Sequence, residues 1–350
     1  MLAPVTHFSP ITLVRRARVL PHPGKVLART GQQVSALDVL AETNVNPEYQ
    51  WLDIAHLLGI SPEKTERYLQ CQAGDQLARG DVIAGPYGIS NRVVRAPKEC
   101  RVILAGDGQV LLEGTAKPFQ LKAGIPGDVV ELIPDFGAVV ETSGALIQGV
   151  WGNGLVDYGL MAVLAKRPDH PLVASDLDVS MRGSVILSGS CQDAEALQMA
   201  DELPLRGMIL SSLSMDLVPL ALKVRYPLIL IEGFGVKPYN SVAYKLLVTN
   251  NRREVTLNAE DWDPYTGARP EIVIPLPAPG RTTVPVEIDT FGIDKVVRVL
   301  RVPHSGQTGT IISMKGKTMF PSGLRANAAE IRLDDGNTVD LPLANLELIH

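Results

Sequence analysis

Two stretches of the sequence repeat one another, Gly31-Gln-Gln-Val-Ser-Ala-Leu-Asp-Val-Leu-Ala41 and Gly74-Asp-Gln-Leu-Ala-Arg-Gly-Asp-Val-Ile-Ala84. Over eleven ungapped positions, Gly, Gln, Asp, Val and Ala recur at the same places. A glycine, an apolar residue three positions later and then Asp-Val-apolar-Ala is typical of turn, strand, turn and strand. The repeat therefore predicts two copies of one short β-module in the first third of the chain.

The second copy is followed by Val94-Arg-Ala-Pro-Lys-Glu-Cys-Arg-Val102. Together, these motifs resemble the barrel-sandwich hybrid fold of biotinyl and lipoyl carrier domains and of modules in the large subunits of RNA polymerase, over about residues 19–115. Cys100 stands where these domains usually have glycine, so we expect a reshaped turn there. The carrier lysine of such domains lies at a hairpin tip, between methionines or after an aspartate. Neither Lys25 nor Lys98 has that setting, so we expect no covalent biotin or lipoate.

A helical insert is predicted at residues 47–70, between the two copies. Apolar residues at helical spacing, Gly59 as a stop signal and Ser61-Pro-Glu63 as a new start predict a pair of helices. The stretch from Asp53 to Leu69 resembles a helix-turn-helix segment, which implies DNA binding. Its second helix carries two acids and two bases, whereas phosphate binding requires net positive charge. A structural helical hairpin is the favoured alternative.

Strands and helices alternate between residues 183 and 258. The pattern predicts strands at 185–187, 207–210, 228–231 and 254–257 and helices at 193–203, 217–224 and 241–248. This alternation is typical of a small parallel sheet with right-handed crossover connections. We expect a compact α/β unit inside a chain that is otherwise rich in strands.

Polar side chains follow the strands of this predicted sheet. Ser188 follows the first strand, Ser211 and Ser212 follow the second, and Glu232 follows the third. Because open α/β sheets bind ligands beyond the carboxyl ends of their strands, these residues form a candidate small-molecule or catalytic site. Ser211 and Ser212 are also typical helix caps, so a structural role stays open.

The C-terminal region, residues 286–350, follows a proline-rich linker at 275–285. Strand patterns surround Gly306-Gln-Thr-Gly309, and Asp334-Asp-Gly336 is typical of a hairpin turn. The pattern resembles the KOW-type SH3-like barrels of ribosomal proteins and transcription elongation factors. That resemblance implies contact with RNA or protein through Arg298, Arg301, His304, Lys315, Lys317 and Arg325. Seven basic and six acidic residues between 290 and 350 leave a net charge of only +1, so a structural barrel is the alternative.

A further basic cluster lies near the N-terminus. The first 30 residues contain Arg15, Arg16, Arg18, Lys25 and Arg29 and no acid. Phosphate contacts dominate non-specific affinity for nucleic acid, so we expect any such binding to map to this cluster and to the C-terminal set. Reversal of the first three arginines to glutamate is then expected to abolish retention on a polyanion. The alternative is that these arginines pair with acids elsewhere in the chain.

The composition narrows the class of protein. With 350 residues, 45% of them hydrophobic and 20% charged, the chain is not disordered. A net charge of -5 excludes a binder of nucleic acid over its whole surface. No apolar run approaches the roughly 18 residues of a membrane helix. The arginines follow the first apolar stretch, opposite to a secretory signal, and Cys71, Cys100 and Cys191 lie at no disulfide or metal spacing. We therefore expect a cytoplasmic location.

Motifs of catalysis and metal binding were also sought. The histidines are scattered, and no nucleophile-elbow, kinase or phosphate-loop signature occurs. We therefore predict no catalytic residues, no metal and no cofactor.

The sequence thus predicts a multidomain, β-rich α+β protein. Its predicted parts are a barrel-sandwich hybrid at 1–126, a β-rich segment with the small parallel α/β unit at 127–274, the linker, and a C-terminal SH3-like barrel. The expected function is that of a non-enzymatic binding or scaffold protein that docks to transcription or translation machinery or to RNA. A small-molecule-binding or enzymatic α/β domain is the alternative.

Overall fold

The computed structural model describes residues 2–43, 48–88, 91–114, 118–263, 267–277 and 284–350. The fold is rich in strands arranged in several sheets, as the sequence predicts. The chain forms two compact units. The first comprises Met1–Val19, Leu27–Leu40 and Lys122–His350, and the second comprises Leu20–Val26 and Ala41–Leu121. Much of the predicted linker, 278–283, lies outside the described residues.

The strands up to residue 122 are β1 (Leu2–Thr6), β2 (Phe8–Val19), β3 (Lys25–Val26), β4 (Gln33–Val34), β5 (Val39–Thr43), β6 (Tyr49–Asp53), β7 (Gln76–Leu77), β8 (Val82–Tyr87), β9 (Arg92–Arg95), β10 (Cys100–Gly106), β11 (Gln109–Gly114) and β12 (Phe119–Lys122). The strands up to residue 275 are β13 (Gly127–Ile133), β14 (Gly137–Gln148), β15 (Trp151–Gly152), β16 (Val156–Val163), β17 (Ser184–Leu187), β18 (Ser190–Cys191), β19 (Gly207–Leu213), β20 (Leu228–Phe234), β21 (Glu254–Asn258) and β22 (Glu271–Pro275). The remaining strands are β23 (Ile288–Thr290), β24 (Val296–Val299), β25 (Thr308–Met319), β26 (Arg325–Leu333), β27 (Thr338–Pro342) and β28 (Leu346–Ile349).

The α-helices are α1 (Ile54–Leu58), α2 (Pro62–Thr65), α3 (Ala194–Glu202), α4 (Val218–Ala221) and α5 (Ser241–Thr249). Short 3-10 helices lie at Ala174–Asp176, Val179–Met181, Met215–Leu217 and Leu343–Asn345. A side chain caps the N-terminus of each of the two longer helices. Asp193 accepts the N–H of Glu195 at α3, and Asn240 accepts the N–H of Ala243 at α5. Such caps satisfy backbone donors that the first turn leaves without a partner.

A large sheet in the first unit contains the predicted α/β unit. Its order, over the described residues, is β15-β20-β19-β17-β16-β21-β22-β14-β13-β4, with β18 paired to β19 and β2 paired to β14. Strands β17, β19 and β20 are parallel, as the alternation predicts, and β16 lies parallel to β17, whereas the predicted strand at 254–257 is β21, which runs antiparallel to β16. Strand β20 is a continuous apolar run because both of its faces are covered. The unit is not a separate small sheet, because β21 pairs antiparallel with β16 and with β22, and β22 in turn pairs antiparallel with β14.

A second sheet of the first unit has the order β23-β1-β28-β24-β25-β26-β27, which we call the C-terminal sheet. The N-terminal strand β1 lies inside it, parallel to β28 and antiparallel to β23. Its own apolar core includes Val5, Val297, Ile311 and Leu348. Because β1 pairs with β28, the C-terminal region is completed by residues from the opposite end of the chain.

The predicted helical insert is smaller than expected. Residues 49–53 form strand β6, at the edge of the sheet β6-β11-β10-β7 in the second unit, and Trp51 is exposed on that strand. Helix α1 begins only after Asp53, whose carboxylate accepts the N–H of His56, and it ends at Gly59 in the left-handed conformation. Helix α2 is a single turn of four residues. The pairing of β6 with β11 overrides the local helical pattern at residues 49–53, and the predicted second helix is shortened to this single turn.

The sequence repeat folds in the same way in both copies. Equivalent backbone hydrogen bonds run from Val129 to Gln32 and from Ala123 to Asp38 in the first copy, and from Val102 to Asp75 and from Ala96 to Asp81 in the second. The hairpin that follows each copy, β13–β14 or β10–β11, has a bulge at the same place, directly after Val129 or Val102. Each module is therefore longer than the repeat that reveals it. The first module is interrupted in sequence by the second.

The equivalence of the two modules explains why the second module has Cys100 at a position where glycine is usual. Cys100 pairs with Leu77 in the second module, and Gly127 pairs with Val34 at the same position of the first. A Cβ atom on Gly127 would overlap the carbonyl oxygen of Glu141. The first module therefore requires glycine, whereas the second accommodates the buried thiol of Cys100 in strand β10.

Replacement of this glycine tests the close approach of the backbone. We expect Gly127→Ala to lower the free energy of unfolding by about 1–3 kcal/mol, because a well-packed site must move to admit the methyl group. Gly106→Ala is the matched control, since a Cβ there meets nothing within 4 Å. Urea unfolding of both variants checks this. Equal stabilities of the two variants would contradict the assignment.

Candidate functional site

The N-terminal arginines lie in ion pairs within the first unit. Strand β2 runs antiparallel to β14, and its arginines reach acids on neighbouring elements. The three pairs are Arg15 with Glu131 at 2.9 Å, Arg16 with Glu271 at 2.7 Å and Arg18 with Glu260 at 2.5 Å. These pairs agree with the alternative interpretation of the basic cluster, in which the arginines pair with acids elsewhere in the chain. Reversal of these arginines to glutamate would therefore test folding as much as binding.

Arg298 is the most deeply buried of the nominated basic residues. Its guanidinium donates to Glu347 at 2.5 Å, to Glu232 at 3.1 Å and to the carbonyl of Ile231 at 3.3 Å. Burial would lower the pKa of this group, but the carboxylates of Glu347 and Glu232 raise it above its ordinary value. The side chain is 4% exposed and its donors are occupied by the protein itself.

The four residues of the predicted α/β site are all buried. Glu232 accepts the backbone N–H and the side-chain amide of Asn240 in addition to Arg298. The Ser212 hydroxyl donates to the carbonyl of Lys237. The hydroxyl groups of Ser188 and Ser211 are buried and have no hydrogen-bond partner among the residues that the structure describes. Ser188 follows β17, whereas Ser211, Ser212 and Glu232 lie inside β19 and β20, which extend beyond their predicted ends, and all four residues are buried.

Two segments cover this edge. In the first, the backbone N–H of Leu172 donates to the carbonyl of Ser190, and a Cβ on Gly189 would overlap the carbonyl of His170. In the second, the hydroxyl of Tyr239 donates to the carbonyl of Ser188, and its burial raises its pKa well above the ordinary value. A ligand at this edge would have to displace both segments.

The other nominated basic residues occupy opposite ends of strand β25. Arg301 and His304 lie in the loop that leads into β25, where His304 contacts the side chain of Gln307. Lys317 lies in the far half of β25, and Arg325 is the first residue of β26. Lys315 stands between these ends, paired with Asp340 at 2.7 Å, and this hydrogen bond raises its pKa. The basic residues thus do not form one patch.

Residues 316–327, which we call the distal hairpin, form the free end of β25 and β26. Strand β24 pairs with β25 only at residues 308–310, and β27 pairs with β26 only at residues 328–332. The distal hairpin is therefore a two-stranded ribbon, in which Met319 and Leu324 are each 58% exposed. It contains Lys317 and Arg325 and no acid. Over the described residues, no carboxylate lies within ion-pair distance of either cation.

His7 is a residue that the sequence reasoning missed. It is the single residue between β1 of the C-terminal sheet and β2 of the large sheet, and it is 1% exposed. Neither ring nitrogen has a hydrogen-bond partner among the described residues. Burial, and then the nearby His350, Arg16 and Arg269, lower its pKa to about 4. No local motif marks such a position, because its surroundings come from four distant parts of the chain.

The depressed pKa of His7 predicts a loss of stability in acid. Because the ordinary pKa is about 6.5, the unfolded chain binds more protons than the folded chain as the pH falls from 6.5 to 4. The folded state therefore loses up to about 3 kcal/mol over that window. We expect His7→Gln to remove this part of the loss. Urea unfolding at pH 7 and pH 4 measures it, with the exposed His22→Gln as control, and an unchanged acid loss in His7→Gln would contradict it.

Removal of Arg298 tests the buried ion pairs. We expect Arg298→Ala to lower the free energy of unfolding by about 3–5 kcal/mol, because it leaves buried carboxylates without their cation. Arg301→Ala, at an exposed position of the following loop, is the control and should change it by less than about 0.5 kcal/mol. Chemical denaturation of both variants measures the difference. A loss below about 1 kcal/mol for Arg298→Ala would show that its partners are hydrated instead.

Comparison of the chain with models of known protein families and with curated proteins finds no match. No helix in the described ranges has both the length and the hydropathy required to cross a bilayer. The same residues contain no cluster of three or more His, Cys, Asp and Glu side chains placed to hold a metal ion.

Proposed function

We propose that this chain is a non-enzymatic binding protein that docks to RNA through the distal hairpin of its C-terminal sheet. In this proposal the C-terminal sheet is an SH3-like barrel of the KOW type, and the region of about residues 19–115 that carries the repeat is a barrel-sandwich hybrid. The sequence motifs around Gly306 and Gly74 support these fold assignments. Transcription or translation machinery is the expected setting, because both kinds of module occur there.

The observation that carries this proposal is the pair of unpaired cations on an exposed ribbon. Lys317 and Arg325 protrude on strands that no third strand flanks, and the hairpin holds no acid to neutralise them. Elsewhere the nominated cations pair with acids: Arg15, Arg16, Arg18, Arg298 and Lys315. Cations without internal partners remain free to replace the counterions of a phosphate backbone. The nominated binding surface therefore reduces to the distal hairpin, with the exposed Arg301 and the half-buried His304 as a separate group.

Charge reversal on the hairpin tests the proposed function. We expect the double variant Lys317→Glu and Arg325→Glu to lose retention on a polyanion at low salt and to lower the salt slope of binding by about 2. The matched control is Lys64→Glu with Arg67→Glu, two exposed cations around helix α2. Titration of labelled RNA with the full chain measures both. The proposal fails if the control variant loses binding and the hairpin variant keeps it.

A further inference from the structure

We propose that the distal hairpin recognises the phosphate backbone of double-helical RNA, without reading bases. This inference rests on the proposed function and adds the form of RNA that is bound. It is carried by the distribution of side chains over the two faces of the ribbon. Cross-strand partners of an antiparallel pair share a face, so the register assigns each side chain to one face or the other.

One face of the ribbon carries both cations. Lys317 pairs with Asn327, and Met319 pairs with Arg325, so these four residues share that face. Lys317 and Arg325 are diagonal neighbours, at a spacing of about 7–8 Å. The face therefore presents two positive charges at a defined separation, held by backbone pairing on both strands.

The aromatic side chain of the hairpin lies on the other face. Thr318 pairs with Ala326. Two residues after Thr318, the backbone N–H of Phe320 donates to the carbonyl of Leu324. By the alternation of strands, Phe320 and Leu324 point away from the cations. Proteins that bind single strands combine cations with aromatic rings on which bases stack. Across residues 316–327, all of them described, the basic face has no such ring.

Charge density favours a duplex as the occupant of this face. A duplex carries one negative charge per about 1.7 Å of its axis, whereas one strand carries one per about 3.4 Å. Two cations at a defined separation therefore meet a stronger potential on a duplex. The minor groove of an A-form helix is wide and shallow, which suits a flat ribbon, whereas its major groove is too deep and narrow for side chains.

Asn327 favours RNA over DNA. Its amide offers both a donor and an acceptor, and it stands opposite Lys317 on the basic face, where its side chain is exposed. The 2′-hydroxyl group is likewise both donor and acceptor, and it lines the minor groove of double-stranded RNA. An amide beside a phosphate-binding lysine is thus placed to contact the ribose while the lysine holds the backbone.

The experiment titrates the full chain against three probes: an RNA duplex of about 20 base pairs, one of its strands alone, and the DNA duplex of the same sequence. We expect the RNA duplex to bind most tightly, with a salt slope of about -1.8 for two phosphate contacts. Its affinity should then fall about 12-fold between 50 and 200 mM salt. Lys317→Ala should reduce the slope by about 1, and a second RNA duplex of different sequence should bind equally.

Two variants separate the contacts. Phe320→Leu removes the aromatic ring but keeps an apolar side chain, and we expect it to leave binding of the RNA duplex within about twofold of the parent. Asn327→Ala should bring the affinities for duplex RNA and duplex DNA together. Tighter binding of the single strand, weakened by Phe320→Leu, would overturn the duplex assignment while the function proposed above stands. Binding of no probe, or binding indifferent to reversal of both hairpin cations, would overturn the function itself.

Discussion

The position of the C-terminal sheet depends on one buried guanidinium. Arg298 extends from β24 to Glu232 on β20 and to Glu347 on β28. Taking three charges out of water costs several kcal/mol per ion, and mutual attraction offsets this cost only if the geometry is good and the remaining donors and acceptors are satisfied. Here Asn240 donates to Glu232, and the Thr6 hydroxyl donates to Glu347. The network therefore specifies one arrangement of β1, β24 and β28 against β20, because a shifted strand would leave a charge buried alone.

The same use of arginine explains why the basic cluster at the N-terminus does not offer free cations to a partner. Strand β2 contributes its arginines to acids on β13 and β22 and in the segment after β21, so the basic N-terminus becomes part of the large sheet. Salt bridges of this kind contribute little stability where they are exposed. Their consequence for function is larger, since they neutralise the cations that a charge count along the sequence would assign to nucleic acid.

Local signals allowed much of the α/β region to be predicted. The apolar run of β20, the cap at Asp193 and the cap at Asn240 lie within a few residues of the elements that they determine. Glu232 lies in the C-terminal half of β20, but its partner Arg298 lies 66 residues away, and β1 pairs with β28 across nearly the whole chain. No short pattern encodes such pairs. Tyr49–Asp53 shows the converse case, in which pairing with β11 overrides helical spacing that is present in the sequence.

The distal hairpin shows how a neighbouring strand decides what a cation can do. Lys315 and Lys317 are two residues apart on β25 and are chemically identical. Lys315 lies where β27 still runs beside β26, so Asp340 of that strand reaches it. Lys317 lies beyond the last residue that β27 pairs, and the ribbon there has no third strand to supply a carboxylate or an apolar cover. A bare two-stranded ribbon is only marginally stable in water, so a partner on its basic face would stabilise the segment of the C-terminal sheet that the chain's own contacts stabilise least.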